Sequence, residues 1–320
     1  MTAGAKIGDG ALPPETGGEA PEKRKNPTLN LALRAVSSLS VLFLAYFALR
    51  RDLLNPESGN WASAMLVAIF TLPCLREFYR LARAGGARPM SGLGYVLGPL
   101  WPLAMEWDLS GGIPRLEANL SLPVAAAVLA MLLQLTRKIN DNALGNVSVT
   151  IFGLIYCSLI PSLLLCLLRL ELSPGGRPMD GIEFVVVCVF VAKVTDIGAL
   201  LVGSRWGRRR MIRRLSPGKT WEGAAGGLLF GVFLLQFMVH TAPGMALAKL
   251  GTPLLVSLSI LLAAGGMAGD LAESAFKRGG RQKDAGTGVP GFGGMLDLVD
   301  SIMIALPVMY FFLILCGARS

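Results

Sequence analysis

Charged side chains are scarce in this sequence. Only 16% of its 320 residues are Asp, Glu, Lys or Arg, whereas 53% are hydrophobic. A soluble domain carries about 25% charged residues and about 45–50% apolar ones, so the composition argues against a soluble globular fold. It is the composition of a protein dissolved in lipid.

The sequence also lacks cysteines at the spacings of a metal site or a disulfide framework. The five cysteines lie in or near apolar segments without the spacing of metal ligands: Cys74, Cys157, Cys166, Cys188 and Cys316. We interpret them as small core residues rather than as a zinc site or a disulfide framework.

The N-terminal stretch has almost no large apolar side chains. Residues 1–27 are rich in Gly, Pro, Glu and Lys, and such a segment buries too little surface to order itself, so a disordered cytoplasmic tail is predicted. A cleaved signal peptide is not predicted, because the first apolar run starts late and ends without a small-residue cleavage site. Residues 28–320 are predicted to form one integral membrane catalytic domain.

Apolar runs fill most of that domain. A bilayer core requires roughly 20 apolar residues per helix. Nine candidate spans are Leu31–Leu49, Trp61–Leu75, Gly92–Met105, Leu120–Thr136, Val147–Leu168, Ile182–Val202, Ala224–Val239, Pro253–Ala268 and Ile302–Cys316. The predicted fold is an all-α, polytopic membrane bundle of about nine transmembrane helices.

The distribution of Lys and Arg orients this bundle. With a cytoplasmic N-terminus, the inside segments carry 21 of the 30 cationic residues and the outside segments carry seven. Positive charge is retained on the cytoplasmic side of short loops, so the count favours this orientation. The net charge of +9 is then explained by anionic lipid headgroups and requires no nucleic acid partner.

Two ionisable residues interrupt the sixth span. Lys193 and Asp196 stand three residues apart, and ionisable groups at membrane depth are functional candidates because burying them unpaired is costly. Alternatively, this spacing on one helix face lets the two side chains neutralise each other.

The inside segment Ser204–Gly223 is longer and more polar than a turn requires. Its Gly218-Lys219-Thr220 run resembles the end of a nucleotide-binding P-loop, but Arg213 stands where that motif needs a glycine. A Walker-type NTPase is therefore excluded. What remains is a compact set of phosphate-binding groups: an ammonium, the hydroxyls of Ser216 and Thr220, and backbone amides freed by glycine.

The second long inside segment, Asp270–Ser301, is the richest in chemistry. Asp270 and Ser274 are four residues apart, and Asp297 and Asp300 are three apart, so each pair can share a helix face. Carboxylates beside cations suit Mg²⁺ and a polyphosphate better than zinc or iron. The alternative is that the two later aspartates are helix caps and the cations are headgroup anchors.

The spacing in this segment resembles the phosphatidate cytidylyltransferases, also called CDP-diacylglycerol synthases. The family signature has the form Ser-x-x-Lys-Arg, four residues, Lys-Asp, then Pro-Gly-His-Gly-Gly and Asp-Arg-x-Asp. The matching residues are Ser274, Lys277, Arg278, Lys283, Asp284, Pro290, Gly291, Gly293, Gly294, Asp297 and Asp300. Further matches are Asp196, Gly203, Gly207, Ser216, Pro217, Lys219, Thr220, Glu222, Gly223, Gly269 and Asp270. The resemblance is detailed over about 182–301, while the N-terminal half matches only as a series of spans.

This resemblance implies that the cytidylyl group of CTP is transferred to phosphatidic acid, giving CDP-diacylglycerol and pyrophosphate. It implies Mg²⁺, with K⁺ as a candidate second cation. On this hypothesis the metal ligands are Asp270, Asp297 and Asp300, and the catalytic residues are Asp196, Lys219, Asp270 and Asp297. The substrate-binding residues are Ser216, Thr220, Glu222, Ser274, Lys277, Arg278, Lys283 and Asp284.

The sequence departs from the signature at two positions. Phe292 replaces the usual histidine and Leu298 replaces the usual arginine. An obligatory proton-transferring histidine at position 292 is therefore excluded, and the phosphate contact of the missing arginine must come from another residue, such as Arg278 or Arg281.

Two other functions remain open from the sequence. One is a CTP-dependent membrane enzyme acting on an isoprenoid or polyprenol lipid, and the other is a transporter, because charge at membrane depth also marks transport sites. The short loops and the lack of a transit sequence favour a bacterial inner membrane with a cytoplasmic active site. A homodimer is compatible with this interpretation.

Overall fold

A computed structural model describes residues 44–111, 118–137, 142–172, 179–280 and 294–318. Several features predicted from the sequence lie outside these ranges. They are the tail 1–27, the substrate-binding residues Lys283 and Asp284, and Phe292 with the glycines beside it.

Helices account for most of the described residues. They are α1 (44–54), α2 (Trp61–Ala84), α3 (Ser91–Leu109), α4 (Ala118–Leu135), α5 (Ala143–Arg169), α6 (Asp180–Trp206), α7 (Trp221–Thr241), α8 (Gly251–Gly279) and α9 (Met295–Leu315). Six of them, α2 and α5 to α9, are long and apolar enough to cross a membrane. The prediction of an all-α integral membrane protein is confirmed at this level, whereas the count of nine spans stays a prediction.

Helices α8 and α9 extend beyond the apolar spans predicted for them. The span predicted to end at Ala268 continues as helix to Gly279, and the span predicted from Ile302 begins at Met295. Hydropathy falls at these ends because charged residues enter the sequence, yet the helices continue against protein neighbours rather than lipid. The site residues that the longer helices carry are Asp270, Ser274, Lys277, Arg278, Asp297 and Asp300.

A short β-hairpin joins α6 to α7. Strand β1 (Arg210–Ile212) pairs antiparallel with β2 (Ser216–Thr220). The all-α prediction missed this hairpin, because strands of three and five residues without apolar alternation give no period-2 signal. Its last residue, Thr220, is also the N-cap of α7, where its hydroxyl accepts the N–H of Gly223 at 3.1 Å.

Glycines set the closest helix contacts in the C-terminal half. A Cβ on Gly227 of α7 would lie 2.6 Å from the carbonyl oxygen of Thr195 in α6. Between α8 and α9, a Cβ on Gly269 would clash with the carbonyl oxygen of Asp300. Only glycine allows backbones to approach this closely, and the second contact brings Asp270 and Asp300 side by side.

Helix α2 packs against the same helices from the N-terminal half. Phe78 contacts Phe276 of α8 with ring centroids 5.8 Å apart and Tyr156 of α5 with centroids 6.0 Å apart. Leu296, in the first turn of α9, is fully buried in this cluster. The start of α9 is therefore held between α2 and the end of α8.

Candidate functional site

A cavity of about 520 Å³ opens between α6, the hairpin, the start of α7 and α8. Five of the site residues predicted from the sequence line it: Asp196, Ser216, Lys219, Thr220 and Asp270. Apolar side chains such as Leu200, Met267 and Leu271 line it as well. A mixed polar and apolar lining suits a ligand that carries both charge and hydrocarbon.

The hairpin and α8 are joined across this cavity by an ion pair. The ammonium of Lys219, at the end of β2, lies 2.6 Å from a carboxylate oxygen of Asp270. Both side chains are only partly exposed, at 24% and 31%, so water screens the pair weakly. The pair holds a cation and an anion at the wall of one pocket.

The carboxylate of Asp270 is also one of three that lie close together. Oxygen atoms of Asp270, Glu273 and Asp300 all lie within 4.8 Å of one another. Glu273 is 1% exposed, and its Oε1 has no hydrogen-bond partner among the residues that the structure describes. Like charges at this separation repel one another strongly unless a cation lies among them. The hard oxygen donors and the buried, unpartnered oxygen of this acidic cluster fit a divalent cation such as Mg²⁺.

Lys277 connects the acidic cluster to Asp297. Its ammonium lies 2.8 Å from Glu273 Oε2 and 3.0 Å from Asp297 Oδ1. The other oxygen of Asp297 accepts the N–H of Gly294 at 2.9 Å, at the start of α9. Of the three predicted metal ligands, Asp270 and Asp300 thus lie in the cluster, whereas Asp297 is bonded to Lys277 and to backbone.

Lys193 reaches α9 from α6. Its ammonium donates to the carbonyl oxygen of Leu298 at 3.0 Å and to Ser301 Oγ at 2.8 Å, and it lies 3.8 Å from Asp300. Position 298, where the family signature has arginine, therefore contributes a backbone contact to this lysine. Asp196, one turn further along α6, lines the cavity.

Two of the predicted substrate-binding residues hold the backbone around the cavity. The carboxylate of Glu222 accepts the N–H groups of Arg208 and Arg209 at 3.1–3.2 Å, which fixes the turn into β1. Thr220 caps α7 as described above. These contacts shape the pocket wall directly and leave the hydroxyl hydrogen of Thr220 for a further acceptor.

Two further predicted residues lie near the end of α8. Arg278 is exposed and its Nε donates to the carbonyl oxygen of Leu215, at a distance of 3.4 Å, next to β2. Ser274 is half-buried on the same helix. Lys283 and Asp284 lie outside the described residues, so their predicted roles stay predictions.

Two buried acids that the structure brings to this region were not predicted from the sequence. Glu273 stands three residues after Asp270, and the spacing rule used for the other acids would have found it. Glu77 stands near the end of the second predicted span, and its carboxylate accepts the N–H groups of Met295 and Leu296. An ionisable residue beside a membrane span was the signal available for Glu77.

Known proteins resemble this chain over most of its length. A model of the cytidylyltransferase family matches residues 34–316. The chloroplastic phosphatidate cytidylyltransferase 5 of Arabidopsis thaliana is 29% identical over 281 residues, which are 81% of this chain and 68% of that protein. The phosphatidate cytidylyltransferase of Synechocystis is 29% identical over 286 residues, which are 80% of this chain and 90% of its relative.

A shorter similarity has higher identity. The phosphatidate cytidylyltransferase of Bacillus subtilis is 36% identical over 137 residues, which are 42% of this chain and 49% of that protein. The chain thus spans about half the length of this relative, against nine-tenths of the Synechocystis protein.

Proposed function

This chain belongs to the cytidylyltransferase family, and from that premise we propose that it transfers the cytidylyl group of CTP to phosphatidic acid. The products are CDP-diacylglycerol and pyrophosphate. The observation that carries the proposal is the Lys219–Asp270 pair, which lies where a cavity with polar and apolar walls meets a cluster of three carboxylates. The names of the relatives from Arabidopsis thaliana, Synechocystis and Bacillus subtilis support this choice of lipid substrate.

The reaction requires charge control more than strong acid–base catalysis. A phosphate oxygen of phosphatidic acid attacks the α-phosphorus of CTP, and the bond from that phosphorus to the bridging oxygen of the β-phosphate breaks as pyrophosphate leaves. The nucleophile is already an anion, so no covalent enzyme intermediate is needed. The main obstacle is repulsion between two polyanions, which fixed positive charge reduces.

Lysines and hydroxyls around the cavity would provide this charge and the orientation of the phosphates. Lys219 is paired with Asp270 and Lys277 with Glu273, two different acids of the cluster, and the two ammonium groups would contact the phosphate groups of the two substrates. Ser216 and Thr220 would donate hydrogen bonds to phosphate oxygens from the hairpin side. Arg278 and Lys283 would bind phosphates at the cytosolic rim, and Asp196 would orient Lys219 or a substrate.

The acidic cluster would hold Mg²⁺. Asp270, Glu273 and Asp300 are the residues proposed to bind it, because their oxygens converge and Glu273 has a buried oxygen without a described partner. When bound, Mg²⁺ supplies positive charge beside the nucleotide phosphates. Asp297 would act from the edge of this site by keeping Lys277 in place, and K⁺ as a second cation stays a prediction.

We also propose nine spans, a cytoplasmic N-terminus and a cytoplasmic active site. The asymmetry of 21 inside against seven outside cations supports this orientation, and cytosolic CTP requires access from that side. A bacterial inner membrane is the proposed location, although chloroplast and bacterial relatives both occur. The homodimer stays a prediction.

The test is an assay of the purified chain in detergent with labelled CTP, Mg²⁺ and a panel of lipid phosphates. We expect labelled CDP-diacylglycerol from phosphatidic acid and pyrophosphate in equal amount. If the enzyme preferred a polyprenyl or isoprenoid phosphate, that lipid would replace phosphatidic acid as the proposed substrate. If no lipid gave a product, the proposed enzymatic activity would be contradicted. This result would favour a transporter, which needs a sealed compartment to act.

A further inference from the structure

A buried carboxylate from the N-terminal half of the chain holds the first turn of α9. Glu77, on α2, is 6% exposed. Its two oxygens accept the backbone N–H groups of Met295 at 3.0 Å and of Leu296 at 2.9 Å. Glu77 therefore binds two adjacent groups of a helix that is more than 200 residues away in the sequence.

These two N–H groups need an external acceptor. The first N–H groups of any helix have no carbonyl partner within that helix, and a negative charge beside them is favoured by the helix dipole. Asp297 accepts the preceding N–H, from Gly294. Glu77 and Asp297 together satisfy three consecutive donors at the start of α9.

Helix α2 is well placed to provide a rigid support. The hydroxyl of Tyr79, two residues after Glu77, donates to the carbonyl oxygen of Thr150 in α5 at 2.9 Å. Phe78 packs in the aromatic cluster with Phe276 of α8. Glu77 thus lies on a segment that is fixed to both α5 and α8, so its carboxylate can fix the position of α9.

We infer that Glu77 is a positioning residue for the active site. The first two turns of α9 carry Asp297, which is bonded to Lys277, and Asp300, which belongs to the acidic cluster. A shift of the first turn would move both carboxylates relative to Asp270 and Glu273 on α8. Glu77 itself contacts backbone, so its effect on the reaction is indirect. The inference rests on the proposed function for its kinetic consequence, but not for its structural one.

The chain contains a matched control. Glu183, in the first turn of α6, likewise accepts two adjacent backbone N–H groups, from Ala246 at 2.9 Å and Leu247 at 3.0 Å. It stands 13 residues before Asp196 on the same helix, which places it about 20 Å away along the axis. Glu183→Gln therefore removes the same kind of contact from a place remote from the acidic cluster.

The experiment compares wild type, Glu77→Gln and Glu183→Gln in detergent. Amide hydrogen exchange is followed in the peptides that contain residues 294–300 and 246–250, and Mn²⁺ binding is measured by electron paramagnetic resonance. In Glu77→Gln, one oxygen acceptor becomes an NH₂ donor that faces an N–H. We expect about tenfold faster exchange in 294–300 alone, weaker Mn²⁺ binding and a kcat lower by roughly tenfold to a hundredfold. The KM for phosphatidic acid should stay unchanged.

The control has the opposite expected pattern. Glu183→Gln should accelerate exchange in 246–250 and leave both Mn²⁺ binding and kcat at wild-type values. The inference is overturned if the wild-type amides of Met295 and Leu296 exchange without protection, a result that needs no variant. It is also overturned if both variants weaken Mn²⁺ binding equally, since that would indicate a general loss of structure. Absence of CDP-lipid synthesis in wild type would refute the proposed function alone, because exchange and Mn²⁺ binding still test Glu77.

Discussion

Buried charge occurs at both ends of α2, and the two clusters are built differently. Near its start, Glu106 forms an ion pair with Arg169 and accepts the N–H of Asn60 at 2.7 Å and the hydroxyl of Ser110 at 2.9 Å. About 25 Å further along the helix, Glu77 binds the first turn of α9, and α8 and α9 carry three carboxylates that face one another. The first cluster holds one carboxylate with one guanidinium. The second brings three carboxylates together, each with a lysine ammonium within 4 Å of it.

We assign the charges of the first cluster to the stability of the fold and those of the second cluster to the reaction. A buried carboxylate that is paired with a guanidinium and with protein donors can be stable without any ligand. Carboxylates that converge on one another are costly in the free protein and become favourable when a cation binds among them. The comparison therefore predicts that mutations at the first cluster change stability and that mutations at the second change activity.

The largest expected effect is that of Asp270→Asn. Loss of this charge removes the anionic partner of Lys219 and one of the three carboxylates proposed to bind Mg²⁺. CDP-diacylglycerol synthesis should therefore fall by at least about a hundredfold. Initial rates with labelled CTP are compared at equal amounts of folded protein. Glu57→Gln, an exposed acid near the start of α2, is the control and should retain full activity. Wild-type turnover by Asp270→Asn would remove Asp270 from the mechanism.

The converse effect is expected for Glu106→Ala. Glu106 is fully buried, and its removal leaves the N–H of Asn60 without its acceptor and Arg169 without its anionic partner. Arg169 keeps its bonds to the carbonyl oxygen of Leu109 and to Ser110, and the expected cost is about 2–4 kcal/mol. The thermal unfolding midpoint in detergent should fall clearly. The kcat measured well below that midpoint should match wild type. A lower kcat with an unchanged midpoint would mean that the two clusters are not separate in function.

A tenfold effect on metal dependence is expected for Glu273→Gln. If Glu273 is a ligand, the Mg²⁺ concentration for half-maximal activity should rise by about tenfold, while the maximal rate at saturating Mg²⁺ should change less. Asp297→Asn provides the comparison, because Asp297 is bonded to Lys277 and backbone. This second variant should lower kcat with a smaller change in the Mg²⁺ requirement. The opposite ranking would favour the ligand set inferred from the sequence, with Asp297 in place of Glu273.

Sequence patterns were sufficient for the helices and for many of the site residues. Asp196 was selected as an ionisable residue within a span, Lys219 as part of a phosphate-binding run and Asp270 for its spacing and its oxygen ligands, and the structure places all three on one cavity. Such residues are visible in the sequence because charged residues are rare within and beside apolar spans.

The contacts that could not be predicted from the sequence join segments that are distant along the chain. Nothing in the sequence near Glu77 indicates that its partners are Met295 and Leu296. Asp297 was predicted to bind a metal, but in the structure it pairs with Lys277. This pairing likewise depends on how α8 crosses α9 at Gly269. The hairpin was missed because its short strands have no apolar alternation. The role of Thr220 as the cap of α7 was missed as well, because that residue was interpreted only as a phosphate-binding group.

In the hairpin, the hydroxyl of Thr220 combines a structural contact with a proposed chemical one, and the effect expected for its removal is small. Thr220→Val keeps the shape of the side chain but removes the acceptor for Gly223 N–H, so the free energy of unfolding should fall by about 1 kcal/mol. If the hydroxyl hydrogen also binds phosphate, the KM for CTP should rise several-fold in the same variant. Thr220→Ser keeps the hydroxyl and should restore both quantities. An unchanged KM in the valine variant, with reduced stability, would assign Thr220 to capping alone, as Glu106 is assigned to structure rather than chemistry.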